Sequence, residues 1–354
     1  MGKNVVVIGG GVAGMAAAGR LQDFGYEVVL VEKAAAIGGH VKNWYKVFPD
    51  FTDATEIIGN LKGNLGKTRI LTDCTVTGIA GSAPHFQVTT STGEIINAAA
   101  ILVATGFKPF DAALKEEYGY GIYDNSFTSI ELDAMLKHHT VKTAAGKIPK
   151  KVAMIHCVGS RDEKVNNNYC SRVCCTNTIK VAIELKQQIP DCEIYCLYMD
   201  IRVFGRGYEE LYRTSQEDYG IQFIRGRLSE ANEKTDGNLL LRLEDTLTAR
   251  PMRLTVDMLV LMVGMCANTE LSDVAGLKVG ADRFYETANM QYSNNSSPRE
   301  GIFLAGTATG PKAIVESITD GRSAAAEIAG FLASQSVGSQ NGYSAVTEIA
   351  ASLH

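Results

Sequence analysis

A short β-branched run, Asn4–Ile8, leads directly into Gly9-Gly10-Gly11-Val12-Ala13-Gly14, and this junction restricts the fold more than any other feature of the chain. Residues 12–24, rich in Ala, read as a helix stopped by Gly25. Residues 28–31 read as the next strand, which Glu32 closes. Strand, Gly-x-Gly-x-x-Gly, helix, strand and acid, in that order, predict a β-α-β unit that binds a dinucleotide. Gly9 permits the tight turn, Gly11 lets backbone approach a pyrophosphate, and Gly14 lets the helix pack closely on the strand. The helix N-terminus turns free N–H groups and a positive dipole end toward the phosphates. Glu32, eighteen residues past Gly14, is placed to accept hydrogen bonds from the adenosine ribose hydroxyls.

Composition agrees with such turns. Glycine is plentiful, 35 of 354 residues, while proline is scarce at 8, which argues against collagen or linker sequence. Apolar residues at 45% exclude a disordered chain, and the length predicts two or three folding units at about 100–200 residues each. A formal net charge of −5 gives no electrostatic reason to expect nucleic acid or an anionic membrane as partner. The apolar stretch 5–18 is broken by four glycines and followed by no cleavage-site pattern, and Val6 stands where myristoylation wants Ser or Thr. No apolar run approaches the roughly 18 residues of a membrane span, so the expected location is the cytoplasm.

Further blocks specify the dinucleotide. Ile37-Gly38-Gly39-His40 predicts a second close turn after Glu32-Lys33. Residues 99–103 read as a buried strand ending in Ala104-Thr105-Gly106. Residues 301–304 read as another, ending in Ala305-Gly306-Thr307 before a long Ala-rich helix over 312–332. Together these resemble the flavoproteins with two dinucleotide domains, the thioredoxin-reductase-like and pyridine nucleotide–disulfide oxidoreductases. The resemblance implies an α/β fold of two Rossmann-like, dinucleotide-binding-type domains, with a discontinuous first domain that holds FAD. It gathers around the FAD Gly9, Gly11, Val12, Ala13, Gly14, Glu32, Lys33, Gly38, Gly39 and His40 from the first blocks. Thr75, Val76, Ala104, Thr105 and Gly106 join them, with Gly306, Thr307, Lys312, Ala313 and Ile314 from the end of the chain. The family usually has Gly-Asp where this chain has Gly306-Thr307. That departure removes one ribityl contact and leaves the helix N-terminus beneath the flavin.

Residues 150–155 begin a second strand of this kind, and a second glycine fingerprint should follow. The chain instead reads His156-Cys157-Val158-Gly159-Ser160-Arg161-Asp162-Glu163, with a polar insertion over 164–169. Cys170-Ser171-Arg172-Val173-Cys174-Cys175 then opens a helix to about residue 188, and strands are expected at 193–198 and 221–224 around a helix at 208–219. The β-α-β frame remains while cysteines replace its phosphate turn. A structural zinc site wants paired knuckles, and Cys170-x-x-x-Cys174 supplies one. A redox disulfide beside a flavin needs two of the four thiols. An iron–sulfur cluster uses all four, and a helix starting at Cys174-Cys175 favours their negative charge.

The runs 157–163 and 169–175, with 219–226 and 304–312, also resemble the A subunit of heterodisulfide reductase, from the N-terminus to about residue 333. That resemblance implies a [4Fe–4S] cluster on Cys157, Cys170, Cys174 and Cys175, and Lys180 as the cation beside flavin N5. It implies FAD-binding segments at 1–112 and 265–333, a cluster-bearing degenerate NAD(P)-binding-like domain at 113–264, and a tail at 334–354. The expected role is electron transfer within a heterodisulfide-reductase-like complex, in sulfur-compound oxidation or disulfide chemistry, as a homodimer among other subunits. The electron carrier is left unassigned. No C-x₂-C-x₂-C run occurs, so the chain resembles the short form of sulfur-oxidising bacteria, with further clusters expected on partners. The alternative is a stand-alone NAD(P)H-dependent disulfide reductase of the thioredoxin reductase type.

Cys74, Cys192, Cys196 and Cys266 read as structural, since a strand sets i and i+4 about 13 Å apart. His138-His139 reads as a helix cap, 334–340 as a Ser/Gly-rich linker, and 341–354 as either a docking helix or disordered. No Gly-x-Ser-x-Gly, Walker lysine or His-Glu-x-x-His motif supports hydrolase or phosphotransferase chemistry.

Overall fold

The computed structural model describes residues 4–351, with 336–351 described as backbone alone. It divides into two units, the first built from residues 1–42, 58–107 and 267–354 and the second from 43–57 and 108–266.

In the first unit, Val5, Val6 and Val7 are fully buried, as expected for a parallel strand covered on both faces. The strand Asn4–Ile8 sits at the centre of a parallel sheet ordered Ile302–Leu304, Ala100–Val103, Asn4–Ile8, Glu27–Val31, Arg69–Leu71. The fingerprint helix Val12–Asp23 follows it, and small Ala16, Ala17 and Ala18 bury its face. An antiparallel sheet of Val76–Ser82, His85–Thr90 and Ile95–Ala98 contributes Phe86, Val88 and Ile96 to the core containing Val6 and Ile101.

The second unit repeats this frame. Its parallel sheet runs Gln222–Arg225, Glu193–Tyr198, Lys151–Val158, Met258–Val263, Ser126–Thr128, again with the strand that precedes the key helix in the middle. That helix, Cys174–Gln188, packs Ile179, Ala182, Ile183 and Leu185 with Val152 and Met154. A meander of Leu228–Glu233, Leu239–Asp245 and Arg250–Val256 turns Leu239, Leu241 and Leu243 inward. None of these three strands is expected from the sequence.

Two boundaries differ from expectation. Residues 43–57 belong to the second unit, because Tyr45 donates its N–H to Asp133 Oδ2 at 2.8 Å and Phe48 packs edge-on against Tyr208. The cysteine helix begins at Cys174, as expected, with Cys170 and Arg172 before it in irregular backbone. The expected linker at 334–340 lies inside one helix, Ile314–Ala351, since no proline interrupts the segment; residues 352–354 of the tail fall outside the described residues.

Candidate functional site

The first turn is built by backbone contact. A Cβ on Gly9, which sits at φ +112°, would fall 2.3 Å from Ala104 O, and one on Gly14 would fall 1.9 Å from Gly9 O. At Gly11 the same atom would meet nothing within 4 Å, so the face needed by a pyrophosphate is open. Gly11 caps the fingerprint helix without a side-chain bond, leaving the first N–H groups to a ligand. Val12 and Ala13 are buried at this end. Glu32 is buried and receives N–H bonds from Gly10 at 2.7 Å and Ala34 at 2.8 Å, one on each carboxylate oxygen. Each oxygen keeps a lone pair for a ribose hydroxyl.

The other predicted FAD residues of the first unit converge on this turn. Gly38 donates its N–H to Gly10 O at 2.7 Å, and a Cβ on Gly39 would come 3.1 Å from Gly11 Cα. His40 Nε2 lies 3.0 Å from Phe107 O, one residue beyond Gly106. Cys74 N–H bonds to Glu32 O at 3.0 Å, which runs Thr75 and Val76 past the acid. Ala104 N–H reaches Ile8 O at 2.8 Å, and Thr307 Oγ1 is 3.8 Å from the Cβ position of Gly106. Lys312 Nζ bonds to Gly306 O at 2.9 Å, and Ala313 N–H to Glu316 at the start of the helix that Ile314 opens. Lys33 points elsewhere, into an exposed pair with Glu270 at 3.4 Å.

Sequence reasoning missed Asp320 and Asn268. Asp320 Oδ2 accepts Gly306 N–H at 2.7 Å and Asp320 Oδ1 accepts Asn295 Nδ2 at 2.8 Å, so a carboxylate stands beside Gly306 although Thr307 has replaced the usual acid. Asn268 donates to Thr105 O at 3.0 Å and leaves its buried Oδ1 without a partner. No local pattern marks either residue: Asn268 acts across 163 residues of chain, and Asp320 lies inside the helix Ile314–Ala351, 14 residues past Gly306.

In the second unit the central strand changes register between Ile155 and Val158, and Cys157 adopts φ +60°. Cys157 and Cys174 share a hydrogen bond. That bond, ahead of the nearby Arg161 cation, holds the Cys157 thiol below its ordinary range, while the same bond and burial raise Cys174. Burial pushes Cys175 up to about 11. Cys170 and Cys175 are close enough for their charges to be felt at Cys174. All four are free thiols, and Cys170 alone is partly exposed. Among the described residues, no three His, Cys, Asp or Glu side chains close around a single metal-ion position. A cubane cluster instead takes each thiolate on a different iron, a wider frame that suits four neighbouring sulfurs. The donor set fits it: Arg172 N–H lies 3.3 Å from Cys170 Sγ, and the Arg202 backbone N–H bonds to Cys175.

The loops carrying these cysteines are tied down. Buried Ser160 and Ser171 share a hydroxyl bond, and Met265 N–H bonds to Ser171 Oγ at 2.9 Å. Asn167 Nδ2 reaches Gly159 O at 2.8 Å, and Lys115 pairs with Asp162 at 2.8 Å with both side chains 5% exposed. Lys180, 2% exposed, donates to Asp133 Oδ1 at 2.8 Å and Lys46 O at 3.0 Å and pairs with the Glu184 carboxylate at 3.1 Å. Cys192 and Cys196 are fully buried, and His138 caps the helix Ser129–Lys137.

A family model of pyridine nucleotide–disulphide oxidoreductases matches residues 3–155, which contain the fingerprint turn and its sheet. Residues 3–155 are thus similar to a family of oxidoreductases. The family implies FAD at the Gly9–Gly14 turn. The chain is 32% identical to one of the CoB–CoM heterodisulfide reductase iron-sulfur A subunits of Methanopyrus kandleri, over 92% of this chain and 63% of that one. It is 32% identical to the corresponding iron-sulfur A subunit of Methanocaldococcus jannaschii, over 92% and 64%. The chain thus spans less than two thirds of the length of these relatives. Among solved structures, the thioredoxin reductases of T. acidophilum and Lactococcus lactis superpose with TM-scores of 0.67 and 0.65. Each is 18% identical, covering 93% and 94% of this chain and 98% and 99% of theirs, which shows the shared fold. No helix among the described residues is long and apolar enough to cross a membrane.

Proposed function

We propose that the chain is an electron-transfer subunit of a heterodisulfide-reductase-like complex, holding FAD in its first unit and a [4Fe–4S] cluster on Cys157, Cys170, Cys174 and Cys175 in its second. When bound, the flavin supplies one- and two-electron chemistry and the cluster single-electron chemistry. One observation carries the reading. The two parallel sheets arrange four strands alike around a central one, yet the first follows that strand with an open glycine turn and the second with clustered cysteines.

The residues divide the work accordingly. Gly9, Gly11 and Gly14 admit the pyrophosphate, Glu32 orients the ribose, and the start of the fingerprint helix offers its N–H groups. Cys157 and Cys174, already adjacent, and Cys170 and Cys175 beside them would each bind one iron. We also propose Lys180 as the cation facing flavin N5, assembly with further subunits as a homodimer, and a role in sulfur-compound oxidation of the kind served by the short form. Support comes from the relatives, which are named as iron-sulfur A subunits of heterodisulfide reductases.

Quantifying iron and acid-labile sulfide in anaerobically purified protein tests the reading. About four of each per chain is the expected result, and neither being present would sink it. The hydrogen-bonded pair Cys157–Cys174 favours a second reading, a redox dithiol serving an NAD(P)H-dependent disulfide reductase. Rapid flavin bleaching by NAD(P)H, with turnover of a small disulfide that Cys157→Ser abolishes in iron-free protein, would decide for it.

A further inference from the structure

Arg161 stands between the cysteines without being one of them. Its guanidinium, with a side chain 23% exposed, is held by Asp200, and Asp200 Oδ2 also takes a bond from Arg202 Nη2 at 3.3 Å. The Arg161 charge is felt at both Cys157 and Cys170. The far side of the same network touches a third cysteine, because Cys175 Sγ lies 3.7 Å from Asp200 O and receives the Arg202 backbone N–H. Arg161 is fixed from its own backbone as well: its N–H bonds to Tyr169 O at 2.9 Å, and it holds φ +54°. Two cations and one anion therefore border three of the four cysteines, in a chain whose overall charge is −5.

We propose that Arg161, buttressed by Asp200, raises the reduction potential of the redox centre on Cys157, Cys170, Cys174 and Cys175. The inference rests on the cluster reading given above. Reduction adds one electron to the centre and makes or breaks no bond at Arg161. A fixed cation nearby stabilises the state with the extra negative charge, and an anion opposes it. Arg161 is a positioning charge, since it acts on the electron through the cysteine sulfurs rather than by ligation. Its guanidinium is mostly shielded, so its influence survives moderate salt, whereas Arg202, 43% exposed, is screened and weaker.

The test is a dithionite potentiometric titration of the anaerobically purified full chain, followed by EPR, with iron and sulfide counted in the same samples. At a fixed applied potential, Arg161→Gln should lower the reduced-to-oxidised ratio about tenfold, equivalent to about 59 mV for one electron. Arg161→Lys should restore most of that loss. Asp200→Asn should move the ratio the opposite way, upward by about threefold. A merely structural role would not give shifts of opposite sign. Ratios within twofold of the parent in both variants, or shifts of the same sign, overturn the assignment. Should Arg161→Gln fail to keep iron, the Asp200→Asn result decides alone: a rise supports the assignment, and no rise overturns it. Absence of iron and sulfide from the parent chain would instead overturn the cluster reading and this inference with it.

Discussion

Cys157 holds a left-handed backbone, φ +60°, at the register shift near the end of its strand. A side chain with a Cβ is disfavoured in that region, so the turn accepts strain to present a sulfur. In metal-free protein, Cys157→Gly should be more stable than Cys157→Ala by about 1 kcal/mol in denaturant unfolding, with neither retaining iron. Equal stabilities would show that the backbone is unstrained. Glu32 makes a second test. Glu32→Gln loses a charged acceptor that serves both turn N–H groups and the ribose, so FAD should bind about 10–100-fold more weakly by fluorescence titration. Gly9, Gly14 and Glu32 were legible in the sequence because backbone mechanics demand those residue types at fixed offsets. Asp320 and Asn268 were not, because Asn268 reaches Thr105 across 163 residues of chain and Asp320 reads as an ordinary polar helix residue.

At the scale of elements, the helix Cys174–Gln188 does two jobs: its first residues present sulfur, and its middle carries Lys180 and Glu184. Burial pushes Glu184 up to about 7, partly opposed by Lys180, from an ordinary 4.5. A carboxyl raised in the folded state contributes stability below pH 4.5 that is lost as pH rises through 7. Glu184→Gln should flatten the stability slope between pH 4.5 and 7, a difference of up to roughly 3 kcal/mol followed by chemical denaturation. Asp162 behaves oppositely. Burial raises it, but its bond to Lys115 and the Lys115 charge hold it below its ordinary value, so its contribution is present at neutral pH and lost on acidification. The sequence showed the hydrophobic face of the cysteine helix through Ile179, Ala182, Ile183 and Leu185, since packing imposes that period. It misread residues 334–340, because Ser and Gly weaken a helix without ending one, and no proline stops Ile314–Ala351.

At the scale of the whole molecule, the glycine turn Gly9–Gly14 and the four clustered cysteines fall in separate units. Cys174→Ser should therefore empty the chain of iron while flavin absorbance stays within a few per cent of the parent. Parallel loss of both would mean that the units fold as one cooperative body. The chain passes between the two units at residues 107–108 and 266–267. Residues 43–57 escaped notice, since their membership is decided by Asp133, Lys180 and Tyr208, which no local pattern announces. The interrupted first unit also bears on biosynthesis. Its sheet needs the edge strand Ile302–Leu304, whereas every strand of the second unit's parallel sheet has been made once Val263 is polymerised. Translation proceeds at about 5–20 residues per second, so the second unit has a head start of a few seconds in reaching its native state. Nascent chains arrested with residue 266 just outside the ribosome should protect the 151–263 sheet from protease while leaving the 4–103 strands cleavable. A newborn chain would then gather its four clustered cysteines before its glycine turn has a complete sheet behind it.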